Sequence, residues 1–261
     1  ILKVILLENI QLAGIPQGLF SSNKELQKIE LRKNSLREID VDTFRELENL
    51  TELSLGHNKF EDLPQGLFRN NKKLRKINLE VNLLSELPVD IFTELDNLEI
   101  IDLSVNSFEY LPQSLFRNNK KLQEIHIIVN SLTKLHADTF RVCKNLQIIN
   151  VAVNKLTSSD IFKELYNLTE LDLHHNGLKD LPLNVFGDNQ NLQKIVLAFN
   201  VLTELHVDTF KQLNNLKVID LYENKLEHLP HGVFRDNKKL EIIDLDINHL
   251  KELHNDTFVG L

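Results

Sequence analysis

One pattern recurs along the whole chain and leaves it little freedom in how to fold. Leu opens the pattern at Leu2, Leu26, Leu50, Leu74, Leu98, Leu122, Leu146, Leu168, Leu192, Leu216 and Leu240, a spacing of 24 residues at every step but one. The unit reads L-x-x-[IL]-x-L-x-x-N-x-L-x-x-L-P-x-x-x-F. Its first half alternates apolar with variable residues, the period-2 signature of a short strand. One such unit cannot bury its own apolar face, so successive units must stack and share a continuous core. The expected organisation is a single array over residues 1–261 of about eleven units.

Two columns support the stack. Asn recurs at Asn34, Asn58, Asn82, Asn106, Asn130, Asn154, Asn176, Asn200, Asn224 and Asn248. A carboxamide both donates and accepts, so stacked Asn side chains can satisfy backbone groups where each strand turns inward. In the first unit Ile10 takes this slot. Phe recurs from Phe20 to Phe258, once per unit, which reads as an aromatic spine in the core.

A second period of 48 residues lies over the first. One kind of unit carries Asn after the Phe, at Asn23, Asn71, Asn119, Asn189 and Asn237; the other carries Leu, at Leu47, Leu95, Leu165, Leu213 and Leu261. Cys143 fills one Leu slot, where it reads as a small buried apolar side chain. The alternation breaks once, between Phe140 and Phe162, and the unit at 146–167 is two residues short. The missing pair is the Leu-Pro or Leu-His step, up to about 7 Å of extended chain. A kink or change of twist is expected over residues 154–168: either the arc pulls in locally or the neighbouring turns shift to fill the lost Leu position.

The repeat resembles the 24-residue extracellular class of leucine-rich repeats, as in Leu74-x-x-Ile77-x-Leu79-x-x-Asn82-x-Leu84-x-x-Leu87-Pro88-x-x-x-Phe92. The resemblance implies an α/β fold: a right-handed solenoid curved like a horseshoe. A parallel β-sheet of about eleven short strands would line the concave side, with loops and short helical turns on the convex side. Steps such as Leu67-Phe-Arg-Asn-Asn-Lys-Lys-Leu74 are similar to those of insect Toll-like receptor ectodomains and related secreted immune repeat proteins. That implies innate immune or developmental signalling through a protein ligand of the cystine-knot cytokine kind. The Cys-rich caps of secreted members are absent, so the chain is expected to be part of a longer protein.

Composition narrows the function classes. A net charge of −8 argues against a general nucleic-acid binder, which needs clustered Lys and Arg. No run approaches the ~18 apolar residues of a membrane span. No phosphate loop, metalloprotease motif or Cys-His pair occurs, so neither catalysis nor a cofactor is expected. His174-His175 has no partner at metal-ligand spacing, and no metal site is expected.

The outward-facing strand positions are the candidates for binding. They are polar or small in the units from Leu26 and Leu50 and turn apolar from Leu98 to Leu146. The candidate ligand-binding residues are Ile100, Asp102, His126, Ile128, Ile148, Asn150, Ala152, His174, Val196, Phe199 and Tyr222. An exposed apolar patch with an aromatic and acidic rim suits a protein ligand. Val105, Val129 and Val153 also read as strand-end residues packing on one another. The sequons Asn49-Leu-Thr51, Asn167-Leu-Thr169 and Asn255-Asp-Thr257 are candidate glycosylation sites and, with the repeat class, favour secretion. The rival reading is an adhesion or matrix protein that uses the concave or flank surface for homophilic contact, and a homo- or heterodimer is the candidate assembly.

Overall fold

A computed structural model describes residues 1–159 and 161–261. The chain divides into two compact units, Ile1–Ser131 and Leu132–Leu261. The first carries β1 (Val4–Leu6), β2 (Lys28–Glu30), β3 (Glu52–Ser54), β4 (Lys76–Asn78), β5 (Ile100–Asp102) and β6 (Glu124–His126). The second carries β7 (Ile148–Asn150), β8 (Glu170–Asp172), β9 (Lys194–Val196), β10 (Val218–Asp220) and β11 (Ile242–Asp244). Within each unit neighbouring strands pair parallel and in register, as in Lys28↔Glu52↔Lys76↔Ile100 and Glu170↔Lys194↔Val218↔Ile242. Each strand is a triplet whose central residue points into the core, such as Ile29, Leu53, Ile101, Ile149 and Ile219. Each unit is a stack of repeat turns, as expected, with a parallel sheet on one side. The other side consists, as expected, of loops and short i→i+3 turns, with no α-helix among the described residues.

The Asn column does what its chemistry allows. Asn58 accepts the Leu36 N–H through Oδ1 at 3.1 Å and donates through Nδ2 to the Leu31 and Leu55 carbonyls, both at 3.0 Å. Asn200 repeats this in the second unit with the Leu178 N–H and the Leu173 and Leu197 carbonyls. Buried backbone groups that the short strands leave unpaired therefore find partners. The Phe spine stacks with centroids 5.8–6.5 Å apart from Phe20 to Phe116. It stacks again from Phe186 through Phe210 and Phe234 to Phe258.

The 48-residue period also has a physical cause. Asn71 Nδ2 reaches back to the carbonyls of Phe44 (2.9 Å) and Leu47 (3.0 Å), both in the preceding Leu-type turn. Asn119, Asn189 and Asn237 do the same for Phe92 and Leu95, Phe162 and Leu165, and Phe210 and Leu213. The Asn-type turn caps the Leu-type turn before it, so the two kinds alternate.

The short repeat keeps the strand register. β7 pairs with β8 as Ile148↔Glu170 and Asn150↔Asp172, although the residues are 22 apart. Asn176 still accepts the Leu156 N–H at 2.9 Å. The shortening is absorbed in the loop, where Ser159 lies fully buried five residues after Asn154, the place a Leu holds in longer units. Phe162 is fully buried but joins no ring stack among the described residues. The kink expected over 154–168 runs through Asp160, which lies outside the described residues.

Candidate functional site

The outward positions fall into columns along the sheet, and what lies beside each residue sets its exposure. In the column Arg32, Gly56, Glu80, Ser104 and Ile128, the small members are buried and the long ones half-buried. Ala152 obeys the same rule in the second unit and is fully buried. It is removed from the candidate surface, because a lone methyl at the strand exit does not rise above the backbone around it. Val196 is 9% exposed and offers little more. Ile100, Ile128 and Ile148 are half-buried. At the exits of β5 and β6 the exposed apolar side chains are instead Val105 (39%) and Val129 (43%).

These valines share a feature that hydropathy does not reveal. The residue before the column Asn lies in the left-handed region in every turn, at Lys33, His57, Val81, Val105, Val129, Val153, His175, Phe199, Glu223 and Ile247, with φ between 49° and 55°. The first turn shares the reversal at Asn9 (φ 57°), although Ile10 stands there in place of the column Asn. A β-branched or aromatic side chain there carries a cost of about 1–3 kcal/mol. Apolar residues at these positions are thus held outward on strained backbone.

In Ile1–Ser131 the face is a charged depression of about 350 Å³ that passes into apolar ground. Lys28, Glu30, Arg32, Glu52 and Lys76 lie at one end, and Ile100, Asp102 and His126 at the other. Its charges answer one another. Lys28 Nζ lies 3.3 Å from Glu52 and 3.5 Å from Glu30, and the Glu52 carboxylate raises the Lys28 ammonium above its ordinary pKa. Arg32 pairs with Glu80 two turns away, passing over Gly56, where a Cβ would collide with Asn78 Oδ1. Register places Ile100 beside Glu124 and Asp102 beside His126.

In Leu132–Leu261 the predicted residues form two groups. Ile148 and Asn150 adjoin β8, where Asn150 Nδ2 donates to Asp172 Oδ2 at 3.3 Å. Asp172 also holds His174 Nδ1 at 2.7 Å. Farther on, His175, exposed and not among the candidates, stacks on Phe199 at 4.0 Å with rings 21° apart. Phe199 in turn tilts against Tyr222 at 5.1 Å. The His174–His175 pair is edge-on at 5.4 Å. Among the described residues no group of three or more His, Cys, Asp or Glu is placed to hold a metal ion.

The sequons lie on the sheet flank and in the last turn. Asn167 is exposed and donates to the Lys144 carbonyl at 2.8 Å. Asn49 is half-buried, donating to the Lys24 carbonyl at 3.2 Å and accepting from Lys73 Nζ at 2.7 Å. Asn255 is exposed, with its partner Thr257 buried. Cys143 is fully buried, and that burial pushes its thiol pKa up to about 12. No helix among the described residues is long and apolar enough to cross a membrane.

Comparison with known proteins agrees with this architecture. The leucine rich repeat profile matches residues 2–60, 48–108, 96–156, 190–250 and 214–261, and a single-repeat profile matches 167–189. No curated protein sequence matches the chain. A chain of the Drosophila Toll–Spatzle complex is 25% identical over 95% of this chain and 38% of its own length, with a TM-score of 0.81. The TLR13–ssRNA13 complex gives 21% identity over 89% of this chain and 38% of that chain, with a TM-score of 0.77. The octameric complex of Latrophilin 3, Unc5D and FLRT2 (LRR) gives 24% identity over 92% and 73%, with a TM-score of 0.81. The chain thus spans under two fifths of the Toll and TLR13 chains it resembles. Repeat by repeat, in profile and in backbone, it belongs to the leucine-rich repeat family.

Proposed function

We propose that the chain is an extracellular recognition module that binds a protein ligand through its strand face, in innate immune or developmental signalling. One observation carries the reading. The fold places no demand on the outward column, which Lys28, Glu52, Lys76 and Glu124 fill without difficulty, yet Ile100 and Ile148 stand in it, as do Val218 and Ile242 farther on. Exposed Val105 and Val129, held on left-handed backbone, extend the apolar ground in the first unit. Apolar side chains kept at the surface against backbone strain are what a partner site requires. The likeness to a chain of the Toll–Spatzle complex supports a protein ligand, and the cystine-knot cytokine kind is the class we propose.

Passage through the secretory pathway is part of the reading. Asn49, Asn167 and Asn255 are its acceptor sites, of which Asn167 and Asn255 are exposed and Asn49 half-buried. Peptide mass spectrometry of native material detects the modification.

The test uses Ile128→Asp and Ile148→Asp separately, each titrated against a purified natural partner. Each is expected to weaken binding at least about ten-fold, the cost of desolvating a carboxylate in an apolar contact, with unfolding midpoints unchanged. Unchanged affinity in both variants moves the site off this face. The adhesion reading draws support from the likeness to the Latrophilin 3, Unc5D and FLRT2 complex. Sedimentation equilibrium separates the two, because homophilic contact requires a concentration-dependent dimer of the chain alone.

A further inference from the structure

Within Leu132–Leu261 the strand face carries aromatic rings and unanswered negative charge side by side. Asp172, Asp220 and Asp244 each accept the backbone N–H two residues on, from His174, Tyr222 and Asp246, at 3.0–3.1 Å. Asn150 makes the same bond to Ala152 at 3.1 Å, so an uncharged amide completes this turn equally well. The carboxylates are therefore more than the turn needs. Register sets Asp220 directly beside Asp244, where like charges on adjacent strands repel. Asp220, Glu223, Asp244 and Asp246 form no ion pair among the described residues. On the strand face of Ile1–Ser131, by contrast, Lys28, Arg32 and Lys33 are matched by Glu52, Glu80 and Glu8.

The second observation is independent of charge. His175, Phe199 and Tyr222 form a continuous ring ladder beside these carboxylates, with centroid steps of 4.0 and 5.1 Å. A depression of about 550 Å³ opens against Phe199, Val201, Glu223 and Ile247. Phe199 is held there at φ 55°, a conformation an aromatic residue rarely adopts.

We propose that this face docks a protein segment presenting Lys or Arg side chains. Their aliphatic stems would lie on Phe199 and Tyr222, whose ring faces attract a cation, and their head groups would meet Asp220, Asp244, Asp246 and Glu223. The inference rests on the strand face being the recognition surface and adds the partner chemistry that this half of it accepts. A basic segment removes the Asp220–Asp244 repulsion and gives the rings a cation, so charge complementarity selects it over an apolar or acidic one.

The experiment measures binding of a short fluorescein-labelled peptide alternating Arg and Ser to the full chain by anisotropy, at low and physiological salt. The double variant Asp220→Asn/Asp244→Asn keeps the turn bonds, as Asn150 does, and is expected to weaken binding about ten-fold or more. Phe199→Asn removes the ring, suits left-handed backbone and leaves charge unchanged; it is expected to weaken binding about five-fold. Asp40→Asn removes one charge from an exposed turn of the first unit, off the strand face, and keeps the bond to the Asp42 N–H at 2.8 Å; it is expected to leave affinity unchanged. Absence of binding to the unaltered chain overturns the proposal. So does loss in Asp40→Asn equal to that of the double variant with no effect of Phe199→Asn, the mark of diffuse charge attraction. If the peptide fails to bind while Ile128→Asp still weakens a natural partner, this proposal falls and the recognition reading stands. Peptide binding with the expected variant pattern, alongside unchanged partner affinity in both Ile128→Asp and Ile148→Asp, supports this site and overturns the apolar one.

Discussion

The ring spine allows a comparison that isolates stacking from burial. Phe92 and Phe162 are both fully buried at the same place in the repeat. Phe92 stacks on Phe68 at 6.4 Å and 7° and on Phe116 at 5.8 Å and 1°. Phe162 stacks on no ring among the described residues. Truncating a buried Phe to Ala costs about 3–5 kcal/mol through lost transfer energy and the cavity left behind. Each aromatic pair adds about 0.5–1.5 kcal/mol beyond the area buried. Phe92→Ala should therefore destabilise more than Phe162→Ala, by about 1–3 kcal/mol for its two pairs. Urea unfolding followed by circular dichroism gives the totals. Hydrogen exchange at the Leu95 and Leu165 amides, which bond to the Phe92 and Phe162 carbonyls, gives the local losses. Equal costs for the two variants would show that the rings act by volume alone and refute the reasoning.

Two further outcomes follow from the buried polar groups. Asn58→Ala removes the acceptor of the buried Leu36 N–H and two carbonyl caps, so unfolding free energy should drop by about 2–4 kcal/mol, with Asn49→Ala on the flank costing under about 1. Calorimetry of both variants checks the contrast. Burial raises the Cys143 thiol pKa to about 12, so the folded thiol stays protonated at pH 8 and should react with a disulfide reagent only as fast as the chain opens. Reaction at the rate of a free thiol in native buffer would contradict its placement in the core.

The repeating scaffold was legible in the sequence because every turn poses the same physical problem and solves it with the same residue. Leu triplets, the Asn column and the Phe spine all take the expected places. The binding surface was less legible. Alternation says which residues point outward, but not how far they reach, so Ala152 counted as surface and lies buried. It is also silent on backbone conformation: Phe199 was placed on the face, but the left-handed backbone that holds it, Val105, Val129 and His175 there could not be read from hydropathy. The His175–Phe199–Tyr222 ladder joins residues 24 and 23 positions apart, which only stacked turns bring together.

What the sequence alone determined is the architecture: a 24-residue period with one Asn and one Phe per turn admits a stacked parallel solenoid and little else, because no single turn can bury its own face. It also revealed the 48-residue alternation and the shortened repeat at 146–167. The tertiary structure decided what these mean. Asn71, Asn119, Asn189 and Asn237 reach across to carbonyls 24 and 27 residues back, which no local rule specifies. It also decided which outward side chains stand clear and which carboxylates stay unanswered. Exposure and pairing depend on the neighbouring turn, and the neighbour in space is a whole repeat away in sequence.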